Sequence, residues 1–532
     1  MTATATDRDA RRAPLDDGRS GFGGLVLAEW TKFRSVRSWW VWLVVGALVM
    51  VLFSVLTGIG SRSTYGGGPD GEEQVGHPYV PTGPGGEPVT DQFYFVHQQL
   101  DGDGSLTARV SDLVGRRLSP DANAGTEGSP SAAEVNPWAK AGLMVKSDLA
   151  QGSSYAAVMT TGGHGVRMQY DFTGDIGPAE DVSPPVDPQW LRLTRAGSTV
   201  TAEASTDGTT WTTVGSVTVP ALASSVEIGM FVTTPATGVV TQHLGGGGSV
   251  TGGGAVATAT FDSVALQGNR DGSEWTGSAV GTGDDTRTAD LVGVSESAGS
   301  FTISGSGDIA PATGGVGTAP ERVLIGAFGP TLVVMVLAVL FITTEYRRGL
   351  IRTTLSASPR RGRVLAAKAL VIGAAGFVVT LVAAAVALPV GEWLLAANGN
   401  YVFPISGATR LRLIVGSGAV AAGCGVLALA IGTIVRRSAA AIATVTTLML
   451  LPFVLATAAV LPAGPSDWLL TVTPAAAFAM HQTAVAYPQV DGAYTPAFGY
   501  YPLGPWAGFA VLCGYAAVAT VVAVVLLRRR DV

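Results

Sequence analysis

Residues 39–59 read WWVWLVVGALVMVLFSVLTGI, a run without a single charge, after which the chain turns to a polar Gly-rich tract that opens Gly60-Ser61-Arg62-Ser63. A helix rises about 1.5 Å per residue, so a run of this length matches a hydrocarbon layer about 30 Å thick. Five more windows of the same kind follow, at Val323 to Thr344, Ala369 to Val390, Leu413 to Val435, Ala439 to Leu461 and Ala507 to Leu527. None holds a charged side chain, although an ion at the bilayer centre costs only about 2.5–3.5 kcal/mol on the gentlest insertion scale. Six such windows predict an α-helical polytopic membrane protein with a large polar insert between the first two spans.

The formal net charge of −6 averages two populations. Lys32, Arg34 and Arg37 precede the first window, and Arg347, Arg348, Arg352, Arg360, Arg361, Arg363 and Lys368 fill the connection after the second. Arg436 and Arg437 follow the fourth window, and Arg528, Arg529 and Arg530 the sixth. These connections alternate, so they share one face, and the positive-inside rule makes that face cytoplasmic. Both termini are then inside, and residues 61–320 lie outside a multi-pass bacterial plasma membrane. Arg410 and Arg412 depart from the rule and are expected to snorkel to the outer interface or join a short surface helix. The first window is read as a retained anchor, because no small-residue cleavage site follows Ile59.

Cys424 and Cys513 both fall in predicted spans, so the insert is not disulfide-stapled and must build its own core. The five histidines show no metal-ligand spacing, and no metal, resident cofactor or nucleic-acid partner is expected.

From about Asp91 to Leu266 short segments rich in Val, Thr and aromatics alternate with turn residues, the pattern of an antiparallel all-β sandwich or jelly roll. Asp207-Gly208, between Val200 to Ala204 and Trp211 to Val214, is the strongest hairpin signal. Residues 61–90 and 268–320 read as Gly-, Pro- and Ser-rich linkers, with Phe301-Thr302-Ile303 a short apolar exception, and Gly245 to Gly248 with Gly252 to Gly254 read as a mobile loop inside the sandwich. The expected order is a cytoplasmic segment with an interfacial helix (1–38), a first span (39–60), a linker (61–90), the sandwich (91–267), a second linker (268–320) and five spans (321–532). Glycoside hydrolysis needs two carboxylates facing across a bond, and Glu203 with Asp207 reads better as a solvated pair, so the chain is expected not to be an enzyme.

Phe93-Tyr94-Phe95-Val96-His97, Trp138 to Val145, Tyr155 to Met159, Trp190 to Leu193 and Asp207 to Trp211 resemble a concanavalin A-like, laminin-G-type β-sandwich. The resemblance covers about a third of the chain and implies a jelly roll of a kind that holds glycans.

A second resemblance is carried by Thr343-Thr344-Glu345-Tyr346-Arg347-Arg348-Gly349-Leu350-Ile351-Arg352-Thr353-Thr354-Leu355, continuing through Pro359-Arg360-Arg361-Gly362-Arg363 to Lys368. With Leu27-Ala28-Glu29-Trp30-Thr31-Lys32, Gly432 to Ser438 and Leu526 to Asp531, it is similar to the permeases of type-2 ABC exporters, in an actinobacterial-like form with an inserted domain. Leu350, Ile351, Thr354 and Leu355 fall at helical spacing, which makes a short amphipathic helix closed by Pro359. The resemblance implies a coupling helix within loop 345–368, with Glu345, Tyr346, Leu350, Ile351, Arg352, Leu355, Arg360 and Arg361 facing a cytoplasmic ABC ATPase. It implies an interfacial helix bearing Glu29, Trp30 and Lys32. The ATP and Mg²⁺ would sit on that partner, since none of the four lysines here lies in a phosphate-cradling G-x-x-x-x-G-K-[ST] loop. Two permeases, as a homodimer or heterodimer, would form the path, with membrane lipid around them and an extracellular glycan as a further partner. Gly329, Pro330 and Pro452 are candidate hinges. The competing reading is a membrane-anchored glycan-binding receptor or cell-wall tether without transport.

Overall fold

The computed structural model describes residues 21–66, 73–77, 79–118, 135–178, 188–243, 247–269, 274–281, 286–313, 316–350, 360–457, 461, 463–490, 494–496 and 499–529. A first helix α1 (Phe22–Ser35) turns at Val36 into α2 (Arg37–Gly60). After the insert, a 3₁₀ segment (Pro320–Ala327) runs directly into α3 (Phe328–Arg347). There follow α4 (Arg361–Ala397), α5 (Gly407–Val435), α6 (Ser438–Thr457), the short α7 (Ala463–Val472) and α8 (Pro505–Arg529). Six of these helical stretches are long and apolar enough to cross a membrane, as the sequence predicts.

The helices overrun the apolar windows, most clearly in α4, which starts at Arg361 and carries its basic first turns beyond the apolar stretch. Caps explain the ends of α5: Ser406 Oγ accepts from the Thr409 amide at 3.1 Å, and Arg436 takes the left-handed conformation (φ 61°) that stops the helix. Glycines let backbones approach. A Cβ on Gly46 would meet Pro330 Cα at 3.0 Å, and one on Gly425 would meet Val334 Cγ1 at 2.9 Å. Helices α3 and α5 form the buried centre, whereas α2 and α8 turn Val41, Trp42, Leu48, Leu52, Val518 and Val521 outward.

The insert folds around one antiparallel sheet. Its strands are β2 (Phe93–Arg117), β3 (Lys140–Lys146), β4 (Tyr155–Thr161), β5 (Val166–Tyr170), β6 (Gly174–Ile176), β7 (Gln189–Ala196), β8 (Thr199–Ser205), β9 (Thr212–Thr218), β10 (Ser225–Thr233), β11 (Ala255–Asn269), β12 (Thr276–Val280), β13 (Gly293–Ser297) and β14 (Ser300–Gly305). The main path runs β9-β8-β7-β2-β10-β3-β4-β5-β6, and the sheet curls into a nearly closed barrel. Strand β2 makes the curl possible. Its first half pairs with β10 and β12 and its second half with β7 and β11, the change falling near Gly102, whose φ of 74° suits glycine. Alternate residues face inward, including Leu106, Leu143, Val158, Leu193, Val200, Ile228 and Phe261.

The other face of β2, β3, β4 and β10 is buried too, beneath Phe93, Phe95, Met144, Tyr155, Phe172 and Phe231. It is closed by a short pair, β1 (Val89–Asp91) with β15 (Ile309–Pro311). Two lysines of β3 end in this apolar layer. Lys146 Nζ meets Asp91 Oδ2 at 2.8 Å, and Lys140 Nζ meets Asp308 Oδ1 at 2.7 Å.

The expected boundaries therefore need correction. Residues 89–91, 276–280 and 293–311 belong to the β domain, because Phe301 and Ile303 fill its core and β15 pairs with β1. Gly-rich composition concealed these strands. Of the glycines expected to form a mobile loop, Gly245 lies outside the described residues, and Gly247, Gly248, Gly252 and Gly253 belong to a strand, Gly247–Gly253, paired with Thr237–His243.

The Asp207-Gly208 hairpin forms as expected, with β8 paired to β9 and Gly208 at φ 73°. Amides of Thr210 and Thr209, then the Ser205 hydroxyl, hold the Asp207 carboxyl well below the usual carboxylate range. A depressed folded-state pKa supplies stability above the ordinary carboxylate value of about 4 and loses it as the pH falls through the folded-state value. Protection of the Thr209 and Thr210 amides from hydrogen exchange is therefore expected to persist at about pH 4 and to vanish in Asp207→Ala. Equal exchange in the two proteins would show that the turn does not depend on the carboxylate.

Candidate coupling site

In α1 the spacing Glu29, Lys32, Phe33 puts a carboxylate, an ammonium and a ring on one face. Phe33 is wholly buried. Its ring centroid lies 5.3 Å from that of Trp39, 5.7 Å from Trp40 and 5.9 Å from Phe341 of α3, and it stacks on Trp30 at 6.2 Å. This aromatic cluster presses α1 against the foot of the bundle and carries Glu29 inward.

Glu29 there meets a lysine. Lys368, in the second turn of α4, is fully buried, and its Nζ lies 2.6 Å from Glu29 Oε2 and 2.7 Å from Glu345 Oε1 in the last turn of α3. It also stands 4.4 Å from the centre of the Phe341 ring. Lys32 closes the group from the rim, 2.8 Å from Glu29 Oε1 and 3.3 Å from Glu345 Oε1. Burial pulls the Lys32 ammonium down, but hydrogen bonding and charge from Glu29 and then Glu345 outweigh it and hold it above its usual range. Two acids and two bases make the cluster neutral, and it fastens three helices at one point. Buried ion pairs of this kind contribute little net stability, yet losing one member strands the rest, so the arrangement favours rigid registration over strength.

Glu345 of the loop and Glu29 and Lys32 of the interfacial helix, singled out separately in the sequence, are brought together here, and Lys368 is the member not singled out. The signal it offered was a lysine, one of four in the chain, one residue before an apolar window. Tyr346 lies beside this group under the Arg436 guanidinium at 4.9 Å. Leu350 is exposed just after the end of α3, beyond Gly349 at φ 67°. Ile351, Arg352 and Leu355 lie outside the described residues. Arg360 is exposed and precedes α4, whereas Arg361 donates to the Leu527 carbonyl and so ties α4 to the end of α8. Gly329 and Pro330 fall in the first turn of α3, packed on Val49 and Gly46, and Pro452 is buried within α6.

At the opposite end of the bundle, α7 and a 3₁₀ segment (Pro474–His481) fold back between α6 and α8 and are too short to span. Arg412 enters this region from α5 and donates to the carbonyls of Met480 at 2.8 Å and Gln482 at 2.7 Å. The Thr483 hydroxyl donates to Glu321, and His481 Nε2 lies 2.8 Å from Ser417 Oγ. Arg410 pairs with Glu392 at 2.9 Å. These arginines belong to α5, and Arg412 pins the folded-back segment. Gln489 extends the region to the insert, donating to the carbonyls of Phe172 and Thr173 at 3.3 and 3.2 Å.

Across three strands of the β domain, His97 Nδ1 lies 2.6 Å from Glu227 Oε2 and its Nε2 3.0 Å from Ser278 Oγ. Acid, base and hydroxyl thus stand in the order of a nucleophilic triad. Ser278, however, sits mid-strand in register with Phe95, so its backbone belongs to the ladder and makes none of the turn that presents a nucleophile beside free N–H donors. The geometry is that of a satisfied structural histidine.

Among solved structures, a functionally unknown protein from Saccharomyces cerevisiae is similar at 15% identity, covering 39% of this chain and 92% of that one with a TM-score of 0.22. Scytalido-glutamic peptidase with a transition state analog inhibitor is similar at 12% identity, covering 41% and 98% with a TM-score of 0.24. Likeness at this level bears no conclusion about fold or chemistry. No curated protein matches. The family described as "ABC-2 family transporter protein" matches residues 28–532, from the inner half of α1 through every span and the inserted domain. With six apolar helices, and an ion cluster knotting two of them to α1, the chain belongs to the ABC-2 transporter family, as a membrane component of an ABC transporter.

Proposed function

We propose that this chain is the permease subunit of an ATP-driven exporter, energised by a separate cytoplasmic ATPase that docks on the connection between α3 and α4. The observation that carries the reading is the Glu29–Lys32–Glu345–Lys368 cluster. A push on the docking loop reaches the last turn of α3 and the first turns of α4 together, and α1 with them, because Lys368 holds both carboxylates. Helices so fastened move as a body, and rigid-body movement of spans is how alternating access is produced. ATP and Mg²⁺ belong to the partner in this reading. Glu345 and Tyr346 brace the loop, Leu350 and Leu355 enter the partner's groove, and the surrounding arginines hold the loop on the cytoplasmic side of a bacterial plasma membrane.

In the same reading the β domain stands outside as a concanavalin A-like module that binds envelope glycan or covers the exit. Two permeases, identical or homologous, face each other through the outward apolar faces of the bundle.

The docking assignment is tested by Leu350→Asp and Leu355→Asp. Burying a carboxylate in an apolar groove removes a central contact, and such contacts are worth about 2 kcal/mol or more. Association with the co-expressed ATPase is expected to weaken at least tenfold while the permease still reaches the membrane. Undiminished co-purification of both variants would overturn the assignment.

A further inference from the structure

Helix α4 joins two fastened ends. Near one stands Lys368 in the ion cluster, and at about 1.5 Å per residue the 37 residues of the helix reach about 55 Å to the other. Pro389 lies inside it and has no N–H for the helical ladder, so that turn is where such a rod would bend. Helix α2 packs across the point on both sides. Ser54, wholly buried, donates its hydroxyl to the Ala387 carbonyl at 2.6 Å, two residues before the proline. Two residues after it, a Cβ on Gly391 would collide with Ser54 Oγ and Val323, and farther on one on Gly58 would meet Leu394 Cβ at 2.5 Å. Small residues thus seat α2 tightly enough to splint the proline.

Past the helix, the α4–α5 connection is stitched to both arms of the insert. On the arm that enters, Asn398 Nδ2 donates to the Gly58 carbonyl at 2.7 Å and Asn400 Nδ2 to the Ser61 carbonyl at 2.8 Å, while Ser61 Oγ donates back to Asn400 Oδ1 at 2.9 Å. The Ser63 amide donates to the Asn398 carbonyl and the Gly76 amide to the Ser63 carbonyl, both at 3.1 Å. His77 then stands edge-on to Tyr401, with ring centroids 5.1 Å apart. On the arm that returns, Thr318 N donates to the Tyr401 carbonyl at 2.8 Å, and Phe403 N donates back to the Thr318 carbonyl at 3.1 Å. Between these stitches and the sheet, β1 and β15 close the two arms on each other. Paired and packed segments of this kind hold one register or break it, and give little by degrees. Gln489, from the segment before α8, adds a longer pair of bonds to the Phe172 and Thr173 carbonyls.

We propose that α2, α4 and the β domain form one rigid body, clamped by Asn398 and Asn400 and splinted across Pro389, so that a displacement at the Lys368 end of α4 is delivered to the β domain. The inference rests on the docking reading above only for what drives the movement. A domain carried in this way changes its place over α6 and α8 whenever the docking end is pushed, and Gln489 is the contact that must be remade.

The test is double electron–electron resonance on the full-length protein in lipid nanodiscs, with the exposed Cys513 replaced by serine and Cys424 left buried. One spin-label pair joins Leu149→Cys in the β3–β4 turn to Val378→Cys, exposed on α4 on the Lys368 side of Pro389. A second sets the same β-domain label against Val454→Cys, exposed on α6. The α4 pair is expected to give a single narrow distance, which Asn398→Ala with Asn400→Ala broadens at least twofold and Gln489→Ala leaves narrow. With the co-expressed ATPase, ATP and vanadate, the α6 pair is expected to shift while the α4 pair keeps its distance. A broad distribution in the parent, a double variant as narrow as the parent, or an α4 pair that shifts with nucleotide would overturn the rigid body. A narrow α4 pair with no nucleotide shift in either pair would instead overturn the ATPase reading and leave the body standing.

Discussion

Lys368→Met is expected to destabilise the helical bundle by about 3–5 kcal/mol, the cost of stranding buried charge. Methionine keeps most of the lysine stem, so packing against Phe341 changes little, and what is lost is the ammonium between Glu29 and Glu345. Lys32 remains at the rim, where water screens it, and cannot neutralise two carboxylates. The readout is thermal unfolding of the purified protein in detergent. The triple replacement Glu29→Gln, Glu345→Gln, Lys368→Met removes the acids with the base and is expected to recover most of the loss. Recovered stability with ATP-driven transport still reduced would separate the cluster's mechanical role from its contribution to folding. A single Lys368→Met variant as stable as the parent would mean that the cluster is solvated and fastens nothing.

Lys146→Met in the β domain is expected to cost about the same near neutral pH, with a pH dependence set by the carboxylate it strands. Burial already raises the Asp91 carboxyl above the usual range, against the pull of Lys146 and the Gly152 amide. Without the ammonium that pull goes and the carboxyl rises further. An acid with a raised folded-state pKa is stabilised where it holds its proton and loses that stability as the pH rises through the folded-state value. The gap between variant and parent is thus expected to be widest at about pH 8 and to narrow towards about pH 5, in denaturant unfolding followed by tryptophan fluorescence. A gap of constant size would show that Asp91 does not carry the cost.

The spans, the alternation of basic connections and the Asp207 hairpin were legible because each rests on a local pattern: an apolar run of fixed length, a sum of arginines, a turn dipeptide. The ion cluster was half legible. Glu29, Lys32 and Glu345 stood out beside family-like motifs, but Lys368 joins them only through the crossing of α1, α3 and α4, and no spacing along one helix announces a contact 339 residues long. The edges of the β domain failed for a related reason. Ser- and Gly-rich strands such as β12 and β13 gain their stability from neighbours in the sheet, so their composition reads as linker. Arg412 shows the converse: a charge out of place beside a span by composition alone is placed by the carbonyls it caps.

The pairing of β1 with β15 reaches beyond the β domain. Just outside it the Ala312 amide donates to the Pro88 carbonyl at 2.9 Å, so the chain leaves the insert beside the point where it came in. Along the chain, more than two hundred residues enter and leave at one point, and a direct join of Pro88 to Ala312 would leave α2 and α3 no farther apart. A chain built this way can gain, lose or exchange its inserted module without redrawing its membrane plan.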